Sequence, residues 1–103
     1  LQDSKKTAET DVANAWSNYQ SSKSVLDSIR TQVKAAEIAN EGITLEYESG
    51  NSRTTLEVIQ SKAILLESRI DLATSQRNYL ISQFKLLSAI GRLTAQQLNL
   101  KVE

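Results

Sequence analysis

YESGNSRTTLEVI, residues 47–59, reads as a helix end, a tight reversal and a helix start, and it divides the 103-residue chain into two long proline-free heptad patterns. Gly50 suits the left-handed conformation that closes a helix, and Asn51 and Ser52 suit a tight connection. Thr54 followed by Glu57 matches the capping box, in which two side chains each satisfy an orphan backbone N–H. The stretch therefore predicts an all-α fold, one antiparallel helical hairpin with no β-strand. Helix one covers about residues 3–48, the tip turn 49–53 and helix two about 54–90. At 1.5 Å per residue the helices reach roughly 70 and 55 Å, far beyond the usual globular helix.

Working outward from the tip, apolar residues step by four and three on both sides. Helix one carries Ala8, Val12, Ala15, Tyr19, Ser22, Leu26, Ile29, Val33, Ala36, Asn40, Ile43 and Tyr47, interrupted only by Ser22 and Asn40. Helix two carries Leu56, Ile59, Ala63, Leu66, Ile70, Ala73, Arg77, Leu80, Phe84 and Leu87, with Arg77 the clear break. Such a repeat is the a/d seam of supercoiled helices, so the two rows are expected to face each other. Gly91 is expected to close helix two, and Thr94 with Gln97 to start a short helical segment at about 94–100.

Helix two has a second apolar row. Val58, Leu65, Leu72, Tyr79 and Leu86 recur every seven residues, and Leu93 and Leu100 continue the count. A two-helix hairpin has one shared seam, so a second row implies a second partner. A wide core face in a four-helix bundle and a closed ring of helices fit this pattern equally well. Either way the chain is expected to self-associate or to belong to a larger protein.

Helix one has mostly small residues at one core position, Ala8, Ala15, Ser22 and Ala36, which lets helices approach closely. Asn40 reads as a register-fixing device. Trp16, beside the seam, reads as packing against a neighbouring helix, Gly42 as close packing or a bend, and Arg77 as snorkelling to solvent.

The 12 basic and 12 acidic residues cancel, which argues against nucleic-acid binding, since phosphate contacts need a basic face. Proline, cysteine, methionine and histidine are all missing, so neither a disulfide framework nor a thiolate metal site is possible. No run approaches the roughly eighteen apolar residues of a membrane-spanning helix. Leu1 begins the chain without a methionine or a secretory signal, which reads as an excised or processed piece. Locally the charge is uneven. Between Glu37 and Gln60 stand Glu37, Glu41, Glu46, Glu48 and Glu57 against Arg53 alone, so the tip end is acidic. On one hairpin this is a solvated face; converged copies would form rings that attract cations.

No enzyme is expected. The chain has no histidine or cysteine, no glycine-rich phosphate loop and no base to activate its hydroxyls. Glu67 and Asp71 share a helix face, where like charges are more often a mildly unfavourable pair than a metal site. No cofactor or metal is expected.

Residues 45–100, from Leu-Glu-Tyr-Glu-Ser-Gly through Gln-Arg-Asn-Tyr-Leu to Gly-Arg-Leu-Thr-Ala-Gln, resemble the C-terminal helical hairpin of the TolC family of bacterial outer-membrane efflux proteins. The ending resembles the alphaproteobacterial branch, and the first 44 residues fit the family's long helix by pattern. In that family three protomers form a tube, with a β-barrel in the outer membrane and an α-helical barrel crossing the periplasm. The resemblance implies a homotrimeric export conduit for drug efflux or type I secretion. It implies that this chain is one periplasmic hairpin, with the membrane-contacting strands elsewhere. Its partners would be a periplasmic adaptor (membrane fusion protein) and an inner-membrane pump or exporter.

The resemblance also assigns roles at the tip. Tyr47 and Arg53 match a tyrosine and an arginine that help hold the entrance shut, with Gly50 at the turn between them. Glu57 matches the first of two acids ringing the entrance. Ser49, Gly50, Asn51, Ser52, Arg53 and Thr54 become the adaptor-contact candidates. The chain departs from the family at three points. Gln60 replaces the second acid, Asn51 and Ser52 make the tip one residue longer, and Glu57 stands where aspartate is usual. The rival reading is a coiled-coil interaction module, such as the hairpin of a periplasmic adaptor or a scaffold protein.

Overall fold

The computed structural model describes residues 2–50 and 53–102, with side chains described from residue 6 to 98 outside positions 51 and 52. Two helices make up the fold, α1 at Gln2–Glu48 and α2 at Thr55–Val102. They form an all-α antiparallel hairpin, and no strand occurs among the described residues. The hairpin comprises two packed units. One brings the residues up to Ser24 together with those from Arg77 onward, and the other is Val25–Gln76, which holds the tip.

In the tip unit, α1 turns Leu26 and Val33 fully inward, with Ile29, Ala36, Asn40 and Ile43 half-buried. In the other unit α1 contributes Ala8, Val12, Ala15, Tyr19 and Ser22 at the same spacing. This is the row expected from the sequence, apart from Tyr47, which is 42% exposed. Burial of each Leu or Val contributes roughly 1.5–3 kcal/mol.

Helix α2 faces its partner with the other of its two rows. In the tip unit Val58, Ser61, Leu65 and Ser75 are buried and Ser68 and Leu72 half-buried. In the other unit the sequence continues as Tyr79, Ser82, Leu86, Ala89, Leu93 and Gln96. The bulkier row expected at the seam points away: Leu56, Ile59, Leu66 and Ile70 are 58–62% exposed, and Leu80, Phe84 and Leu87 are exposed as well. The physical reason is shape. Large and small side chains alternate along the α2 seam and interdigitate with α1, whereas the outward row, with small residues only at Ala63 and Ala73, would hold the backbones further apart. Two of the buried serines have acceptors for their hydroxyls. Ser82 Oγ donates to the Tyr79 carbonyl at 2.7 Å, and Ser61 Oγ donates to Asn40 Oδ1 at 3.2 Å. Asn40 thus meets a polar partner on the facing helix, the pairing a register device needs.

Gly91 does not end α2. The helix runs through it to Val102, and Thr94 Oγ1 bonds back to the Ile90 carbonyl at 3.0 Å, a mid-helix contact rather than a cap. A helical glycine costs about 1 kcal/mol relative to alanine. Continued burial of Ala89 and Leu93 on the same seam offsets that cost.

Nothing lies within 4 Å of where a Gly42 Cβ would stand, so the close packing expected there does not come from the chain itself. Trp16 is half exposed and stacks on Tyr19 with centroids 5.7 Å apart, and Tyr19 in turn stacks on Tyr79 at 5.5 Å, their hydroxyls 3.2 Å apart. Arg77 is exposed.

Candidate functional site

The tip is built by the local rules read from the sequence. Gly50 adopts φ 76°, where a side chain would be strained, and its N–H donates to the Tyr47 carbonyl at 3.2 Å. Ser49 supports the end of α1 twice, donating its N–H to the Leu45 carbonyl at 3.0 Å and its hydroxyl to the same oxygen. At the start of α2 the capping box is complete. Thr54 N–H donates to Glu57 Oε2, and Glu57 N–H donates to Thr54 Oγ1, both at 3.2 Å. Glu57 also places a carboxylate in the first turn, where the helix dipole favours it.

Arg53 sits between the helices and is shared by two acids. Its Nε donates to Glu46 Oε2 at 2.5 Å, and its Nη1 lies 3.8 Å from Glu57 Oε2. The hydrogen bond and charge of Glu46, with a smaller part from Glu57, hold the guanidinium protonated still more firmly than usual. Tyr47 reaches across the turn, its hydroxyl 3.0 Å from Thr55 Oγ1. Arg53, Glu57 and Gln60 line one open cleft with Ala36, Ile43 and Ile64.

The structure therefore brings Tyr47, Gly50, Arg53 and Glu57 together at one end of the tip unit, with Ser49 and Thr54 exposed beside them. Asn51 and Ser52 lie outside the described residues. Sequence reasoning missed Glu46 and Thr55 as the partners of Arg53 and Tyr47. The signal available was their placement on either side of the turn, seven and eight residues apart. Further along, Glu37 pairs with Arg69 at 3.6 Å. Among the described residues no group of three or more acids could hold a metal ion, and no helix is long and apolar enough to cross a membrane.

The outward faces complete the site. On α1, the exposed residues opposite the seam recur at heptad spacing as Ser28, Thr31, Ala35, Ile38, Gly42 and Leu45 in the tip unit, and as Thr10, Asn14, Ser17, Ser21 and Ser24 in the other. Not one of them is charged. On α2 the outward row is aliphatic and aromatic apart from Arg77, roughly 150° from the seam in a 3.5-residue repeat.

The chain is 32% identical over 91 residues to the outer membrane efflux protein BepC of Brucella suis biovar 1 (strain 1330), covering 88% of this chain and 20% of that protein. The chain is related to the TolC family of outer membrane efflux proteins. A second TolC-family relative, the outer membrane protein TolC of Escherichia coli (strain K12), is 29% identical over 87 residues, 84% of this chain and 17% of that protein. The chain thus spans about a fifth of the length of the curated relatives it matches. Neither relative is named as an enzyme. No protein-family model matches the chain, and no solved structure matches it.

Proposed function

We propose that this hairpin is a wall and entrance segment of the periplasmic tunnel of a trimeric outer-membrane export channel, a passive conduit whose energy comes from a partner. The observation that carries the reading is the two-faced α2. Its seam row is spent on α1, while its bulkier row, from Leu56 to Leu87, is left uncovered. Exposed apolar surface of that extent marks an interaction face. The uncharged, mostly small outward row of α1 is shaped to receive such a face from a neighbouring hairpin. One face that gives and another that receives make a head-to-tail contact, the kind from which closed rings are built when the rotation between neighbours closes.

In this reading the tip lies at the tunnel entrance and docks the periplasmic adaptor, which links the tube to an inner-membrane pump or exporter. Tyr47 and Arg53 help hold the entrance shut, and Glu57 contributes an acidic ring. Gln60 halves that ring's charge, so cation preference is modest.

The test is single-channel conductance of the intact protein in a planar bilayer. Glu57→Gln keeps the capping box, which accepts glutamine, while removing the charge. Cation preference is expected to fall in Glu57→Gln and to rise in Gln60→Glu. Stepwise conductance indifferent to both substitutions would remove Glu57 from the entrance. Absence of conductance from folded, inserted protein would overturn the conduit itself.

A further inference from the structure

We infer that Glu46 is the positioning residue of the tip, holding Arg53 across the turn as an ionic clasp within its own hairpin. Glu46 belongs to the last turn of α1, Arg53 precedes α2 and Glu57 lies in its first turn. A single guanidinium therefore ties both helix ends together. The short contact runs to Glu46, at 2.5 Å, and the longer one to Glu57, at 3.8 Å. Glu57 also accepts the Thr54 N–H, so its carboxylate is divided between the cap and the arginine. Tyr47 and Thr55 form a second, uncharged link across the same turn.

The arrangement makes Arg53 a group already committed. A neighbouring surface that takes the Arg53 Nε–H must first draw it from Glu46, and release exposes that donor and the Glu46 carboxylate together. All three side chains are 42–48% exposed, so salt weakens the clasp. The tip can thus exist with its charges turned inward on one another or outward to a partner, and Glu46 sets the balance. This inference stands independently of the tunnel reading, because the clasp lies within one hairpin whether or not hairpins assemble.

The experiment follows hydrogen exchange of the Arg53 Nε–H by NMR in the 103-residue chain, dissociated by dilution. Charge-assisted hydrogen bonds are roughly twice as strong as neutral ones, so Glu46→Gln should speed this exchange about two- to fivefold. Glu57→Gln, which preserves the cap and removes the longer contact, should have the smaller effect. High salt should speed exchange in the wild type and much less in Glu46→Gln. Unchanged exchange in Glu46→Gln, or a larger effect from Glu57→Gln, would overturn the assignment of Glu46. Far-UV circular dichroism of each variant separates a lost clasp from a lost fold.

Discussion

Replacing Leu66 and Ile70 by aspartate is expected to abolish assembly of the intact protein while the hairpin itself keeps its helices. Both side chains lie on the outward row of α2, 60% and 58% exposed in the single chain. A carboxylate there is solvated and harmless until a neighbour covers it. Once covered, an unpaired charge costs several kcal/mol, enough to overwhelm an interface of ordinary strength. Size-exclusion chromatography with light scattering should show the wild type associated and the double variant dissociated, with unchanged far-UV circular dichroism. Assembly of the double variant at wild-type concentrations would show that this row faces solvent or lumen.

The second large effect separates two adjacent leucines. Leu65 is 8% exposed and faces α1, whereas Leu66 is 60% exposed and faces away. In the dissociated chain, Leu65→Ala should cost about 2–4 kcal/mol through lost burial and a residual cavity. Leu66→Ala should stay within about 0.5 kcal/mol, the usual range for a surface change away from special features. Urea denaturation at a concentration low enough to prevent association measures both. Equal losses, or a larger loss at Leu66, would restore the bulky row to the hairpin's own seam.

These two leucines mark where the sequence was legible and where it was not. The reversal at Gly50, the capping box of Thr54 and Glu57 and the whole seam of α1 follow from local rules, because each depends on neighbours within about one turn or on one unambiguous periodicity. Helix α2 carries two rows of the same period, and periodicity cannot say which of them meets α1. Hydrophobicity favours the Leu56–Leu87 row. Packing chooses the row containing Ser61, Ser75 and Ser82, with Ser61 bonded to Asn40, because small residues alternating with large ones let the backbones approach. Gly91 misled for a related reason, since a local stop signal there is outweighed by tertiary burial on either side of it. At the tip, the residue types of Tyr47, Arg53 and Glu57 were readable. Their partnerships were not, because Glu46 and Thr55 come within reach only when the two helix ends are brought together.

Exchanged seams also bear on how the tunnel reading holds together physically. A hairpin whose own seam is rich in serine and alanine, with its bulkiest apolar residues outside, gains much of its burial from neighbours. The hairpin's own seam holds its two helices, and the outward row adds burial on assembly. That division suits a wall segment, in which every helix is held from both sides.

The claim that α2 is packed on both faces can be tested by cysteine labelling, since the chain has no cysteine of its own. Leu66→Cys and, separately, Leu65→Cys would be treated with a maleimide reagent in the dissociated chain and in the assembled intact protein. Position 66 should label rapidly in the single chain and become protected on assembly, while position 65 stays protected in both. Rapid labelling at position 66 in the assembled protein would contradict the account, because the outward row would then have no neighbour.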